Sequence, residues 1–158
     1  MTQTSQPAST FTETPPSRCE FYKSVCCLPA VVDPRTGRIA MGAGLIGAVM
    51  MPTALARCVK TSLDVRGVAP LSIIGHPRAD MWTFLVRADT RPIGDPDEVT
   101  RLWEARVVVI RDGEIALPSP MPDPLMVRTW VSPATSVFRP SGAVVIECAQ
   151  SILRRTPR

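Results

Sequence analysis

The sequence contains a single histidine, His76, in the run Gly-His-Pro-Arg, and several arginines lie near it along the chain. An imidazole changes its charge near neutral pH and can act as an acid, a base or a ligand. Guanidinium groups bind phosphate oxygens through two parallel hydrogen bonds. We therefore predict a ligand-binding group at an exposed turn, formed by His76, Arg66, Arg78 and Arg87, with Arg91 close by. The alternative is a solvated rim of arginines without a ligand.

Cysteine side chains are a second set of candidates, as metal ligands. Three of the five lie close together in the sequence, at Cys19, Cys26 and Cys27, and Cys58 or His76 could complete a site. Their spacing differs from the pairs typical of zinc sites, so ordinary packing is the alternative, and no cofactor is predicted. An odd number of cysteines and the lack of a basic, apolar leader in residues 1–17 favour reduced thiols and a cytoplasmic location.

The glycine-rich run at 42–47 reads Gly-Ala-Gly-Leu-Ile-Gly, which has the letters of a dinucleotide-binding fingerprint. Asp64 follows near the distance at which that fingerprint places an acid. In the fingerprint the third glycine opens a helix, whereas Pro52 predicts a helix that starts after the run. A glycine-rich strand is therefore favoured over a dinucleotide site.

The chain has 158 residues, a net charge of +4 and a pI of about 9.1. This length predicts one domain. No apolar run approaches the roughly 20 residues of a membrane-spanning helix, so no membrane contact is expected. A basic balance is compatible with nucleic acid as a partner, but the arginines are spread along the chain, as on an ordinary protein surface.

Apolar patterns predict the elements that would position these groups. Strands are predicted at 28–32, 38–41, 44–51, 70–74, 81–87, 106–110, 114–117 and 127–131, and helices at 53–63, 96–104 and 142–153. Residues 18–27 would form a short helix or an extended arm. This order predicts an α+β fold with a mixed, largely antiparallel sheet and two to three helices. Residues 1–17 are predicted to be a disordered tail, 18–153 a single domain and 154–158 a basic tail.

Turn residues predict how the strands connect. The run Asp-Pro-Arg-Thr-Gly at 33–37 predicts a tight turn, and Asp112-Gly113 predicts a hairpin between its two flanking strands. Residues 118–124 contain four prolines and predict an extended loop. The side chains predicted to lie in the core include Leu55, Val59, Leu63, Trp82, Trp103, Cys58 and Cys148.

Several short runs between residues 38 and 131 occur in a defined order. They are Gly-Ala-Val-Met-Met-Pro at 47–52, Gly-His-Pro-Arg at 75–78, Trp-Thr-Phe-Leu-Val at 82–86, Gly-Glu-Ile-Ala-Leu-Pro-Ser-Pro at 113–120 and Trp-Val-Ser-Pro at 130–133. In this order they resemble the N-terminal catalytic domain of actinobacterial bifunctional DNA primase/polymerase proteins. The Cys-x-Phe-Tyr, Asp-Pro-x-Thr-Gly-Arg and Arg-Pro-Ser-Gly-Ala-Val-Val runs also resemble a group of short actinobacterial proteins.

The resemblance implies a primase/polymerase-like fold, in which clustered carboxylates would hold two divalent ions for nucleotidyl transfer. The positions that match the family's acids are Gly47 and Met50, which do not bind Mg²⁺. Where the family has its nucleotide-binding histidine, this chain reads Asp80-Met81-Trp82. The resemblance therefore implies a non-catalytic module with a binding or regulatory role toward nucleic acid, nucleotide or a partner protein.

Two other functions stay open at this point. One is a small nucleotide- or small-molecule-using enzyme centred on His76 and the nearby arginines. The other is a structural protein that binds a partner through the proline-rich loop at 118–124 or through the N-terminal tail.

Overall fold

Strands and helices follow one another along the chain in the predicted order, with one further helix at the start. The computed structural model describes residues 12–121 and 127–156. The elements are α1 (Pro15–Ser24), β1 (Ala30–Val32), β2 (Ile39–Gly42), β3 (Ile46–Pro52), α2 (Thr53–Val65), β4 (Ile73–His76), β5 (Met81–Arg87), α3 (Pro96–Glu104), β6 (Val108–Ile110), β7 (Glu114–Leu117), β8 (Thr129–Ser132) and α4 (Gly142–Arg155). The α+β class is confirmed, with four helices in the described chain where two to three were predicted.

The strands form two sheets instead of one. The larger sheet has the strand order β6-β3-β5-β4-β8, and the smaller has the order β1-β2-β7. Every pairing between named strands is antiparallel. The long central pair, β3 and β5, places Val49 opposite Phe84 and Met50 opposite Thr83.

Two of the predicted turns join neighbouring antiparallel strands, as expected. Between β1 and β2, Gly37 adopts a positive φ of 68° and its N–H donates to the carbonyl oxygen of Asp33 at 2.8 Å. Between β4 and β5, a short turn brings His76 opposite Met81. Glycine suits the first turn because a side chain is strained at that φ.

The third predicted hairpin, at Asp112-Gly113, is wrong. β6 pairs with β3, where Ala48 lies opposite Ile110, whereas β7 pairs with β2 in the other sheet. The carbonyl of Gly113, at a φ of 82°, accepts a hydrogen bond from the N–H of Ala43 at 2.8 Å. The Asp-Gly bend is therefore a corner where the chain passes from one sheet to the other. The pairing of β6 with β3 and of β7 with β2 decides the path of the chain here, against the preference of Asp-Gly for a local hairpin.

Each face of the five-stranded sheet carries its own hydrophobic core, because successive side chains of a strand point to opposite faces. On one face, Phe84 packs beneath α2 and α4, with Val59 and Leu63 of α2 fully buried as the helical spacing predicts. On the other face, Ala48 and Leu85 pack against the three-stranded sheet and α1. The sheet is therefore a central layer between the helices and the smaller sheet.

The structure corrects two predicted core positions. Trp103 is 80% exposed, because α3 turns Leu102 and Glu98 toward the protein and Trp103 away from it. Cys58 is exposed on α2, whereas Cys148 on α4 is buried as predicted. No helix within the described residues is long and apolar enough to cross a membrane.

The boundaries of the two predicted tails also differ from the structure. α1 begins at Pro15, inside the predicted disordered segment, because the side chains of Thr14 and Ser17 cap its first turn reciprocally. α4 continues through Arg154, whose Nε lies 3.0 Å from an oxygen of Glu98. The predicted disorder of residues 1–11 and the part of the proline-rich loop at 122–124 lie outside the described residues.

Candidate functional site

His76 is not the exposed turn residue that the sequence predicts. It is the last residue of β4, is half-buried, and its Nε2 lies 2.9 Å from the hydroxyl oxygen of Thr83 on β5. Burial lowers the pKa of His76, and the positive charge of Arg128 lowers it further. The imidazole is therefore neutral at pH 7, and the turn itself consists of residues 77–80.

The arginines predicted to surround His76 are not brought together with it. His76 pairs with Met81 at one end of β5, and Arg87 is the last residue at the other end. A strand of this length spans about 20 Å at roughly 3.4 Å per residue. Arg78 lies in the turn near His76, while Arg66 ends α2. The predicted ligand-binding group therefore separates into a histidine end and an arginine end.

Of the two positions that match the acids of the primase/polymerase family, Met50 lies on the sheet face beside His76 and Gly47 lies on the opposite face. Met50 lies directly opposite Thr83, so its side chain and the His76–Thr83 pair share one face. Of the aspartates elsewhere, Asp64 pairs with Lys60 at 2.7 Å, and Asp89 caps α4. Among the described residues, no three His, Cys, Asp or Glu side chains form a group that could hold a metal ion.

The three cysteines predicted as weak metal candidates differ in their exposure. Cys19 and Cys26 lie in the core beneath α1, whereas Cys27 is exposed. The thiol of Cys26 donates to the carbonyl oxygen of Ala134 at 3.4 Å, and burial raises its pKa. Cys19, Cys26 and Cys27 are therefore not assembled as a ligand set in this structure.

The glycine-rich run at 42–47 connects β2 in the smaller sheet to β3 in the larger one. It opens no helix, since α2 begins only at Thr53. Gly47 is needed for close packing, because a Cβ there would lie 2.8 Å from the carbonyl oxygen of Ile110. The dinucleotide-binding alternative therefore lacks the strand-to-helix turn that it requires.

At the arginine end, one guanidinium group is bonded to the segment that follows β5. Arg111, from the corner between β6 and β7, donates through Nε to the hydroxyl of Thr90 at 2.9 Å and through a terminal nitrogen to the carbonyl of Arg91 at 3.4 Å. Arg87 and Arg91 flank the same segment, and all three side chains are exposed. We call Arg87, Arg91 and Arg111 the arginine surface.

Asp89, the one carboxylate within residues 87–91, is committed to α4. It accepts hydrogen bonds from the N–H groups of Gly142 at 2.7 Å and Ala143 at 3.3 Å. Burial alone raises the pKa of Asp89, but hydrogen bonds from Ser141 and these two N–H groups outweigh burial, so its pKa is lowered. Its charge therefore offsets the positive end of the α4 dipole, and Arg87 is its nearest guanidinium, at 3.6 Å.

The start of α4 is fixed against the same segment by close backbone contacts. The N–H of Arg87 donates to the carbonyl of Pro140 at 2.9 Å. A Cβ at Gly142 would lie 2.6 Å from Cγ2 of Thr90 and 2.8 Å from the carbonyl oxygen of Arg87. This docking creates two grooves, one on each side of the start of α4. The first is lined by Val68, Arg87, Val137, Phe138, Arg139, Pro140, Ser141 and Val144, and the second by Asp89, Arg91, Ile93, Ala143, Ile146, Glu147 and Gln150.

Sequence reasoning found Arg87 and Arg91 but missed Arg111. Arg111 lies 21 residues from Thr90 along the chain, and the Asp-Gly signal beside it predicts a local hairpin. The pairing of β6 with β3, and of β3 with β5, brings Arg111 to this segment. No local pattern in the sequence reports that pairing.

The chain matches no protein-family model, no curated protein and no solved structure. The resemblance to primase/polymerase domains therefore stays a prediction. A functional proposal for this chain has to rest on the geometry of the arginine surface and of the His76 face.

Proposed function

We propose that this chain is a non-catalytic, primase/polymerase-like module that binds nucleic acid through its arginine surface. One observation carries the proposal: Arg111 bonds to Thr90 within the segment that the other two arginines flank. The carboxylate in that segment is already engaged by α4. Arg111 is held in place before any ligand arrives, because Thr90 and the Arg91 carbonyl fix its orientation. A fixed guanidinium binds phosphate at a smaller entropic cost than a mobile one.

The charge balance of the chain supports the same proposal. Its net charge is +4, and phosphate contacts supply most of the affinity of sequence-independent nucleic-acid binding. Three arginines that neutralise three phosphates would contribute a slope of about −2 to −3 to the dependence of log K on log salt. This dependence distinguishes phosphate contacts from apolar association.

The proposed absence of catalysis rests on the two positions that match the family's acids and on His76. Met50 and Gly47 occupy the positions where the family's carboxylates would bind divalent ions, and neither side chain is an oxygen ligand. His76 is neutral at pH 7 and engaged with Thr83. Arg87 lies about 20 Å from it along β5, so an enzyme that uses His76 together with Arg87 is disfavoured.

A partner protein is a second candidate, favoured by one observation on α3. Trp103 is 80% exposed and Val99 is 47% exposed, and these two residues are four apart on the outer side of the helix. Exposed aromatic residues are enriched at protein interfaces. If Trp103→Ser abolishes self-association or capture of a partner without changing DNA binding, the two roles are separate.

Fluorescence anisotropy with a labelled 20-nucleotide DNA, in EDTA and at several salt concentrations, tests the principal proposal. We expect binding that needs no metal and weakens steeply with salt. A template-directed extension assay with Mg²⁺ and nucleoside triphosphates should show no product. Extension that Asp64→Ala or Asp80→Ala abolishes would contradict the non-catalytic assignment, and the absence of DNA binding at low salt would contradict the binding assignment.

A further inference from the structure

The first groove at the start of α4 combines a cation, apolar walls and an exposed aromatic ring. Arg87 lies at this groove together with Phe138, which is 38% exposed, and Val137, which is 64% exposed. We infer that the groove binds single-stranded DNA, with a base stacked on Phe138 and a neighbouring phosphate on Arg87. This inference rests on the proposed function and specifies its ligand.

Phe138 is held in its exposed position by a buried arginine. One terminal nitrogen of Arg139 donates to the carbonyl oxygens of Ser136, at 2.7 Å, and of Phe138. The other donates to the carbonyl oxygen of Cys26 at 3.0 Å. The N–H of Phe138 also donates to the hydroxyl oxygen of Ser136 at 3.3 Å. The main chain of the loop around Phe138 is thus tied to the body of the protein.

Arg139 also adds positive charge to the groove. The side chain is only 5% exposed, yet the described residues place no carboxylate within ion-pair distance of it. Its Nε is buried without a hydrogen-bond partner. Main-chain carbonyls satisfy its terminal nitrogens but carry no net charge. Within the described part of the chain, the guanidinium charge therefore remains uncompensated beneath the groove, where an approaching phosphate would offset it.

The shape of this site favours a single strand over a duplex. A base can stack on an aromatic ring only when its face is not covered by neighbouring base pairs. Cations that follow the backbone and an aromatic ring that holds a base are the two parts of single-strand binding sites. Arg87 and Phe138 supply these parts within one groove.

The groove also favours DNA over RNA. A protein distinguishes RNA by bonding to the ribose 2′-hydroxyl. Ser141 is the one hydroxyl side chain among the described residues that line the groove, and its oxygen accepts the N–H of Val144 at 3.3 Å as the cap of α4. The remaining uncharged side chains of the groove are apolar, so they offer a 2′-hydroxyl no hydrogen bond.

The test compares labelled oligothymidine, oligouridine and a hairpin duplex of matched length in EDTA at low salt. We expect Phe138→Ala to weaken oligothymidine binding about tenfold and duplex binding by less than about twofold, because stacking is lost only for the single strand. Phe138→Tyr keeps an aromatic ring and should bind oligothymidine about as tightly as the wild type. Trp103→Ala serves as the control, since it removes an exposed aromatic ring on α3. It should change neither the affinity for oligothymidine nor the affinity for the duplex.

Each other outcome overturns one assignment. If Phe138→Ala changes neither ligand's affinity while Arg111→Gln weakens both, the stacking site is wrong and the arginine surface stands. If oligouridine binds as tightly as oligothymidine, the assignment to DNA is wrong. If neither the single strand nor the duplex binds to the wild type, the proposed function itself is wrong.

Discussion

Arg111 and Thr90 are joined by a 2.9 Å hydrogen bond between the guanidinium Nε and the threonine hydroxyl, across 21 residues of sequence. The bond connects the corner between the two sheets to the segment that follows β5. It fixes one of three guanidinium groups beside the start of α4. This contact therefore holds one arginine of the cationic surface in place before a ligand binds.

Replacement of Thr90 by valine tests this contact with little change in shape. Valine keeps a methyl group where Cγ2 of Thr90 packs near Gly142, but it offers no acceptor to Arg111. We expect DNA affinity to fall about two- to threefold, the low end of the range for one hydrogen bond, because the group is exposed. The free energy of unfolding should change by less than about 0.5 kcal/mol.

Thr61→Val is the matched control for Thr90→Val. It removes an exposed hydroxyl that donates to the carbonyl of Arg57 at 3.0 Å on α2, away from the arginine surface. Equal DNA affinities for both variants and the wild type would show that the Arg111 bond does not organise the binding surface.

Tyr22 couples three distant parts of the chain, so its hydroxyl should matter for stability. The fully buried side chain donates to the carbonyl of Pro118 at 2.7 Å and accepts from Nε1 of Trp130 at 2.9 Å. Tyr22→Phe leaves both partners without a bond in a mostly buried site. We expect a loss of about 1–3 kcal/mol in the free energy of unfolding, measured with urea. A loss below about 0.5 kcal/mol would mean that water replaces the hydroxyl.

His76 predicts a specific dependence of stability on pH. Its pKa in the folded protein is below the ordinary value of 6.5 because burial and Arg128 disfavour the imidazolium. As the pH falls through 6.5, the unfolded chain takes up a proton that the folded protein does not, so stability is lost on the acid side. At a pH well above 6.5, where both states are unprotonated, this group contributes no pH dependence.

The measurement is urea unfolding at pH 7.5 and pH 5.5 for the wild type and for His76→Gln. The variant keeps a side chain that can bond to Thr83 but does not titrate. We expect the wild type to lose more stability than the variant between the two pH values. An equal loss in both proteins would contradict the lowered pKa.

Glu147 is expected to weaken DNA binding, because it places an exposed carboxylate in the second groove beside Arg91. Glu147→Gln removes a negative charge that repels a phosphate bound there. We expect DNA to bind about two- to threefold more tightly at low salt, with the difference shrinking as salt screens the charges. Glu20→Gln on α1 is the control for a simple change of net charge. An equal gain in that control would show that the effect is not local.

Local patterns in the sequence were sufficient for most elements of this fold. The spacing of Val59 and Leu63 predicts the buried side of α2, and the glycine of the turn at 33–37 predicts the connection between β1 and β2. These features depend on neighbours along the chain, which a sequence shows directly. The runs that carry the resemblance have structural roles as well, as the bonds of Tyr22 and Arg139 show.

Features that depend on distant partners were not predicted. The Asp-Gly bend before β7 has the residues of a hairpin turn, but pairing with β2 and β3 decides the path of the chain. Trp103 has the residue type of a core position, yet α3 rests on the opposite side. The arginine surface needs Arg111 from the end of β6 and Arg87 from the end of β5, and the pairing of both strands with β3 brings them near one segment.

Charge-matched variants measure the central claim most directly. One variant replaces Arg87, Arg91 and Arg111 by glutamine, and the other replaces three exposed arginines elsewhere, Arg35, Arg38 and Arg57. Each lowers the net charge from +4 by three, to +1. The measured quantity is the slope of log K against log salt for a single-stranded DNA.

We predict that the first variant reduces the magnitude of this slope by about 2, as expected for three lost phosphate contacts, and that the second leaves it within about 0.5 of the wild type. Equal slopes for the two variants would contradict the claim that Arg87, Arg91 and Arg111 form the nucleic-acid binding surface.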